Sequence, residues 1–205
     1  MKKAALISAF CAGALLYGGG AQANEDHMAI KGPFADPMAV TNKCLECHEN
    51  AAHDIMQTSH WTWELEQDIS GRENVYRGKK NAINNFCISI NGNWARCTSC
   101  HIGYGWKDGG FDFTDASRVD CLVCHDTTGT YKKPGPAAGM PSGFTGNEQF
   151  DKKPVDLVKV AQNAGAPNRT NCINCHGYGG GGNNVKHGDI DSSMATPSTA
   201  HDVHM

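Results

Sequence analysis

Residues 97–125 read CTSCHIGYGWKDGGFDFTDASRVDCLVCH, and each end of this stretch is a C-x-x-C-H pentapeptide: Cys97-Thr98-Ser99-Cys100-His101 and Cys121-Leu122-Val123-Cys124-His125. Two more stand outside it, Cys44-Leu45-Glu46-Cys47-His48 and Cys172-Ile173-Asn174-Cys175-His176. At this chain's own Cys and His frequencies a random sequence of the same length should contain about 0.02 such pentapeptides, so four are not chance. The rival uses of paired cysteines are zinc knuckles, thioredoxin-like redox pairs and disulfides. None of these requires a histidine directly after every pair. Covalent haem attachment does: two thiols three residues apart bond one porphyrin edge, and the next residue brings an imidazole under the iron.

The expected cofactor is therefore haem c, four per chain, attached through Cys44, Cys47, Cys97, Cys100, Cys121, Cys124, Cys172 and Cys175. His48, His101, His125 and His176 are the expected proximal iron ligands. First cysteines lie 53, 24 and 51 residues apart. These gaps are too short for independent folding around each haem, which predicts close packing and electron transfer between them. The chain has 24 glycines, 40% apolar residues and a mean hydropathy of −0.46, so it is poorly supplied for a protein-only core. The expected fold is mostly α and coil with little β, a multihaem cytochrome c fold organised around stacked haems.

Outward from the motifs, the chain begins with Met1-Lys2-Lys3, an apolar run Ala4–Leu16, and Ala21-Gln22-Ala23. This is the pattern of an export signal over 1–23 with cleavage after Ala23, which predicts a periplasmic domain over 24–205. The apolar run is shorter than the roughly 20 residues that cross a bilayer, so a transmembrane protein is not expected. Cys11 follows the bulky Phe10, which disfavours a lipoprotein site. Without Lys2 and Lys3, 16 basic residues face 21 acidic ones, a net charge of −5. No basic face for nucleic acid is expected.

Each iron needs a sixth ligand or an open position. Six histidines lie outside the motifs: His27, His53, His60, His187, His201 and His204. His53 and His60 are two helical turns apart on a helix expected over Ala51–Glu66, so they should share a face beside the first motif. His27 is the weakest candidate. Cys87 belongs to no motif and reads either as a small buried hydrophobe or as a thiol near a haem or substrate. Residues 24–43 read as an extended lead-in, 129–147 as a Pro/Gly linker or surface loop, and Val155–Asn163 as a helix running towards the fourth motif. Strand signal is poor throughout. Trp61, Trp63, Trp94, Tyr104 and Trp106 flank the motifs and read as haem packing.

NKCLECHENAAHDIMQTSHWTWE, NFCISINGNWARCTSCHIGYGW, VDCLVCHDTTGTY and NCINCHGYGGGGNNVKHGDIDSS together resemble the N-terminal half of octahaem tetrathionate reductase cytochromes. The resemblance covers most of residues 42–205. It implies a periplasmic oxidoreductase acting on tetrathionate, nitrite or hydroxylamine at one lysine-ligated haem, with a cysteine and an aspartate nearby. Carried over by position, the haem of Cys97, Cys100 and His101 is the catalytic one and Cys87 the nearby thiol. Asp156 and Lys159 match the aspartate and the iron-binding lysine, with Lys153 and Lys186 as competitors. That family carries eight haems and this chain four motifs, so it reads as a fragment incomplete at the C-terminus, or as a tetrahaem relative. The partners implied are redox proteins, the electron donor being unknown, and a small inorganic oxyanion. The other reading is a pure electron carrier or haem wire.

Overall fold

The computed structural model describes residues 23–81, 89–177, 183 and 191–199. It consists of short helices joined by long ordered loops: α1 (Ala23–Met28), α2 (Pro37–Leu45), α3 (Ala51–Met56), α4 (Ser59–Thr62), α5 (Trp94–Cys97), α6 (Cys121–His125), α7 (Glu148–Asp151), α8 (Leu157–Gln162) and α9 (Arg169–His176). β1 (Leu65–Ile69) and β2 (Arg72–Arg77) form an antiparallel hairpin pairing Leu65 with Arg77 and Ile69 with Arg72. Among the described residues no helix is long and apolar enough to cross a membrane. The mostly α and coil architecture matches the expectation from the motifs.

Isolated helices this short are unstable in water, so packing must hold them. The core is Val40, Ala52, Trp61, Ile102, Val119, Leu122, Val123, Tyr131, Leu157, Val160 and Ala161. Burying Leu122 alone contributes roughly 2 kcal/mol. The middle of the third motif thus sits in the core, with Cys121 and Cys124 packed against it and His125 exposed. Long-range bonds fix the arrangement. Thr41 on α2 donates to the Val119 carbonyl at 2.6 Å, and Gln162 on α8 to that of Ile30 at 2.8 Å.

Four expectations need correction. The lead-in 24–43 is largely helical, because Pro37 opens α2 and Asp36 caps it, accepting from the Ala39 amide at 2.8 Å. Pro at the first helical position costs no hydrogen bond. The helix expected over Ala51–Glu66 is broken. α3 ends at Met56, α4 is a separate turn, Trp63 is left-handed at φ 54°, and Leu65 and Glu66 begin the hairpin. The hairpin itself was not legible, since its residues are mostly exposed and lack the apolar alternation that marks a half-buried strand. Gly71, at φ 77°, makes its turn. Finally, 129–147 is no solvent linker: Tyr131, Ala137 and Ala138 are buried, and the Ala138 amide donates to the Ala95 carbonyl at 2.9 Å.

Candidate haem sites

Three of the four motifs are wound as one α-helical turn. In motif one the His48 amide donates to the Cys44 carbonyl at 2.9 Å. Motif three is α6 itself, and motif four closes α9. On an α-helix residues i, i+3 and i+4 share a face, so both thiols and the imidazole of each motif are presented together. Side chains start these turns. Asp120 accepts from the Val123 amide at 3.0 Å. Asn168 accepts from Thr170 and Asn171 at 2.9 and 3.3 Å, while Asn171 returns a bond to the Asn168 amide at 3.0 Å. That reciprocal cap satisfies amides a helix otherwise leaves free. Asn171 also donates to the Asp126 carbonyl at 2.9 Å, tying motif four to motif three.

Two motif histidines each face a second imidazole. The rings of His27 and His48 are 6.1 Å apart between centroids, and those of His60 and His176 also 6.1 Å. An imidazole nitrogen lies about 2.0–2.1 Å from a first-row metal and about 1.1 Å from its ring centre, so two axial imidazoles put their centroids about 6.3 Å apart. Both pairs fit. His27 is further oriented by its Nδ1, which donates to the Ala164 carbonyl at 3.0 Å. His125 of motif three donates from Nδ1 to the neighbouring Gly165 carbonyl at 2.8 Å. A carbonyl only accepts, so in both rings the proton sits on Nδ1 and Nε2 carries the lone pair, the usual outer-shell arrangement of metal-binding histidines. His53 lies exposed on α3, and among the described residues no imidazole faces it.

The thiols of different motifs meet. Cys44 lies beside Cys121, and Cys100 beside Cys175. Within each pair the neighbouring sulfur lowers one thiol, Cys44 or Cys100, and raises its partner, Cys121 or Cys175. Burial pushes Cys124 up, with Asp120 and the nearby Cys172 adding to it. A cavity of about 500 Å³ is lined by His60, Trp63, Ile102, Val123, Cys100, Cys124, Cys172, Cys175 and His176. Thiols of three motifs thus open onto one largely apolar space. Among the described residues no three His, Cys, Asp or Glu side chains converge as a zinc knuckle would need. The eight motif cysteines are free thiols.

Motif two differs. α5 tightens into a 3₁₀ turn over Thr98–Cys100, and His101 is extended, its amide donating to Thr98 at 2.9 Å. The cause is Thr98, fully buried, whose hydroxyl lies 2.7 Å from the Trp94 carbonyl and 2.6 Å from that of Trp106. This turns His101 into an aromatic cluster of Trp61, Trp63, Trp106, Phe111 and Phe113, with ring centroids 4.8–6.0 Å away. Its Nε2 donates to the Trp61 carbonyl at 2.7 Å, and its Nδ1 is buried without a hydrogen-bond partner. Burial holds the ring neutral, lowering its pKa to about 3. Donors of motifs one, three and four fit a covalently attached haem. At motif two the thiols fit, while the imidazole nitrogen that would meet iron is committed to Trp61.

Around Cys100 and Cys175, a second cavity of about 350 Å³ is lined by Arg96, Lys132, Lys133, Ser99 and Asn174. Asp156 caps α8, accepting from the Lys159 amide at 3.0 Å, and Lys159 is exposed. Both line a different cavity with Lys132 and Lys153, which no attachment residue enters. The structure therefore brings Asp156 and Lys159 together but not to a motif. Cys87, Lys186, His187, His201 and His204 lie outside the described residues. His27, ranked last among the candidate ligands from the sequence, lies 6.1 Å from His48 between ring centroids. Its anchor at Ala164 and its partner His48 come from distant parts of the chain, and no local pattern announces them.

Comparison with known proteins agrees with this geometry. Residues 43–126 match the family "Cytochrome c554 and c-prime". The chain is similar to the crystal structure of octahaem cytochrome c from Shewanella oneidensis, 56% identical with a TM-score of 0.74, over 87% of this chain and 37% of that one. It thus spans little more than a third of that protein's length. It is also 25% identical over 202 residues to an uncharacterised protein of Archaeoglobus fulgidus, covering 78% of this chain and 67% of that one. With its C-x-x-C-H motifs and facing imidazoles, the chain is a multihaem c-type cytochrome.

Proposed function

We propose that the chain binds four haems, one per motif, and passes electrons between them as an exported, periplasmic carrier for redox partner proteins. The observation carrying this reading is the pair of 6.1 Å imidazole couples, each joining one motif histidine to one non-motif histidine. Haem c, when bound, supplies a one-electron iron couple. The protein does the rest. His27 with His48, and His60 with His176, would hold iron from both faces, the ligation that suits low-spin electron carriers. The Ala164 and Gly165 carbonyls fix the tautomers of His27 and His125, so no proton need move when iron changes oxidation state. Thiol contacts between motifs one and three, three and four, and four and two keep the attachment edges adjacent. Electron paramagnetic resonance with a pyridine haemochrome assay tests this: four haems with low-spin signals are expected, and two or fewer haems would reject it.

A second reading makes the same protein a reductase of tetrathionate, nitrite or hydroxylamine at motif two. It is favoured by the departure of that motif from the other three and by Arg96 and Lys132 in the cavity beside Cys100, cations suited to an oxyanion. Cys87, Asp156 and Lys159 are its proposed catalytic residues, with Lys159 as iron ligand. Lys159→Ala separates the readings. A reductase would lose turnover and change the spectrum of one haem, whereas a carrier, with Lys159 solvated on α8, would change neither.

A further inference from the structure

Lys132 lines two cavities. Cys175 of motif four opens onto one of them. The other, of about 720 Å³, gathers Lys132, Lys152, Lys153 and Lys159, and no haem-attachment residue enters it. All four lysines are exposed, and among the described residues none of their ammonium groups makes an ion pair. The carboxylates close by in sequence are committed to the backbone. Asp156 accepts from the Lys159 amide at 3.0 Å, and Asp151 from the amides of Gly143, Thr145 and Gly146 at 2.8–3.1 Å. Backbone bonds fix the wall: the Ser142 amide donates to the Lys132 carbonyl at 3.0 Å, and the Val155 amide to the Ser142 carbonyl at 2.9 Å.

Like charges around one concavity repel each other, and a bound anion relieves that repulsion. The chain as a whole carries a net charge of −3, so the cavity is a local reversal of sign. An acidic partner is repelled by the rest of the surface and steered to this place, which orients it as well as attracting it. Four separately mounted ammonium groups match several carboxylates at once. A single small oxyanion instead needs donors converging on one point. Phe150, Pro154 and Val155 supply apolar contact in the same cavity, as the centre of a protein interface requires.

We propose that this cavity docks an acidic redox protein, whose carboxylate-rich face sits among Lys132, Lys152, Lys153 and Lys159. Lys132 alone then stands between the docked partner's cavity and the one that Cys175 enters. The proposal rests on the carrier reading above and names the face at which that carrier meets its partner.

The test is calorimetric titration of the haem-loaded chain with oxidised flavodoxin, a small acidic flavoprotein, with haem content measured alongside. Salt of about 20 and about 200 mM brackets the range over which screening of exposed charges becomes strong. The variant Lys132→Gln/Lys152→Gln/Lys153→Gln should bind about tenfold more weakly than wild type at low salt, and the difference should vanish at high salt. Lys31→Gln/Arg72→Gln/Lys107→Gln, which removes as much charge from exposed positions outside the cavity, should bind nearly as wild type does. Equal affinity of wild type and the cavity variant, or equal losses in the two variants, overturns the proposal. So does displacement of flavodoxin by sulfate at matched ionic strength, which would assign the cavity to a small oxyanion. Self-association in sedimentation that the cavity variant abolishes would assign it to a second copy and also overturn the proposal. Too few haems in the wild type would reject the carrier reading instead.

Discussion

The imidazole of His27 stands opposite that of His48, 6.1 Å between ring centroids with the planes tilted by 53°, and is held there by a hydrogen bond from its Nδ1 to the Ala164 carbonyl. A helix ahead of the first motif thus brings a second imidazole to that motif. His60 does the same for His176.

Removing either ring should open one axial position. His27→Ala and His60→Ala are each expected to convert one haem from low to high spin, on different irons, with haem content unchanged. His53→Ala should leave the spectra as they are. Electron paramagnetic resonance and the Soret band read the result. Unchanged spectra in the first two variants would remove them from the ligand set.

The cap of α9 is a second point of attack. Asn168→Ala removes the acceptor for the Thr170 and Asn171 amides, and the loss should be about 1 kcal/mol. A lower urea midpoint with an unchanged slope would register it. A midpoint equal to wild type would mean that the covalent attachments alone hold this turn.

Gly103 is packed against the His101 cluster. A Cβ there would lie 2.8 Å from the His101 ring and 2.8 Å from Trp61. Overpacking of this kind costs about 1–3 kcal/mol, so Gly103→Ala should lower the melting temperature and disturb the near-ultraviolet signal of the tryptophans. A neutral result would show that the aromatic cluster yields.

Burial holds His101 at about 3, against an ordinary value of 6.5. On acidification the unfolded chain takes up this proton first, because its imidazole titrates normally. Stability contributed by the neutral ring is complete above pH 6.5 and declines as pH falls towards 3. The loss between pH 6.5 and 4.5 is on the order of 3 kcal/mol. Urea unfolding at the two values, compared with His101→Gln, should show a flatter pH dependence in the variant. Equal slopes would place the protonation elsewhere.

Covalent and local chemistry was readable from the chain alone. The C-x-x-C-H pentapeptides name their cofactor because thiols and imidazole sit within five consecutive residues, and the abundance of glycine with few apolar residues pointed to a fold built from coil and short helices. Even the α8 helix was placed within two residues at its start, since its apolar spacing is local. What long-range contacts decide was not readable. His27 matters through Ala164 and His48, residues brought to it by packing. His53 and His60 were separated by a break between Met56 and Ser59, which no periodicity marks. Thr98 winds motif two differently from its three counterparts by bonding to the Trp106 carbonyl. Lys132 joins Lys152, Lys153 and Lys159 around one cavity only once Ser142 bonds to Lys132 and Val155 to Ser142. Attachment is written residue by residue, whereas axial pairing and electrostatics depend on which distant side chains the core brings within a few ångströms.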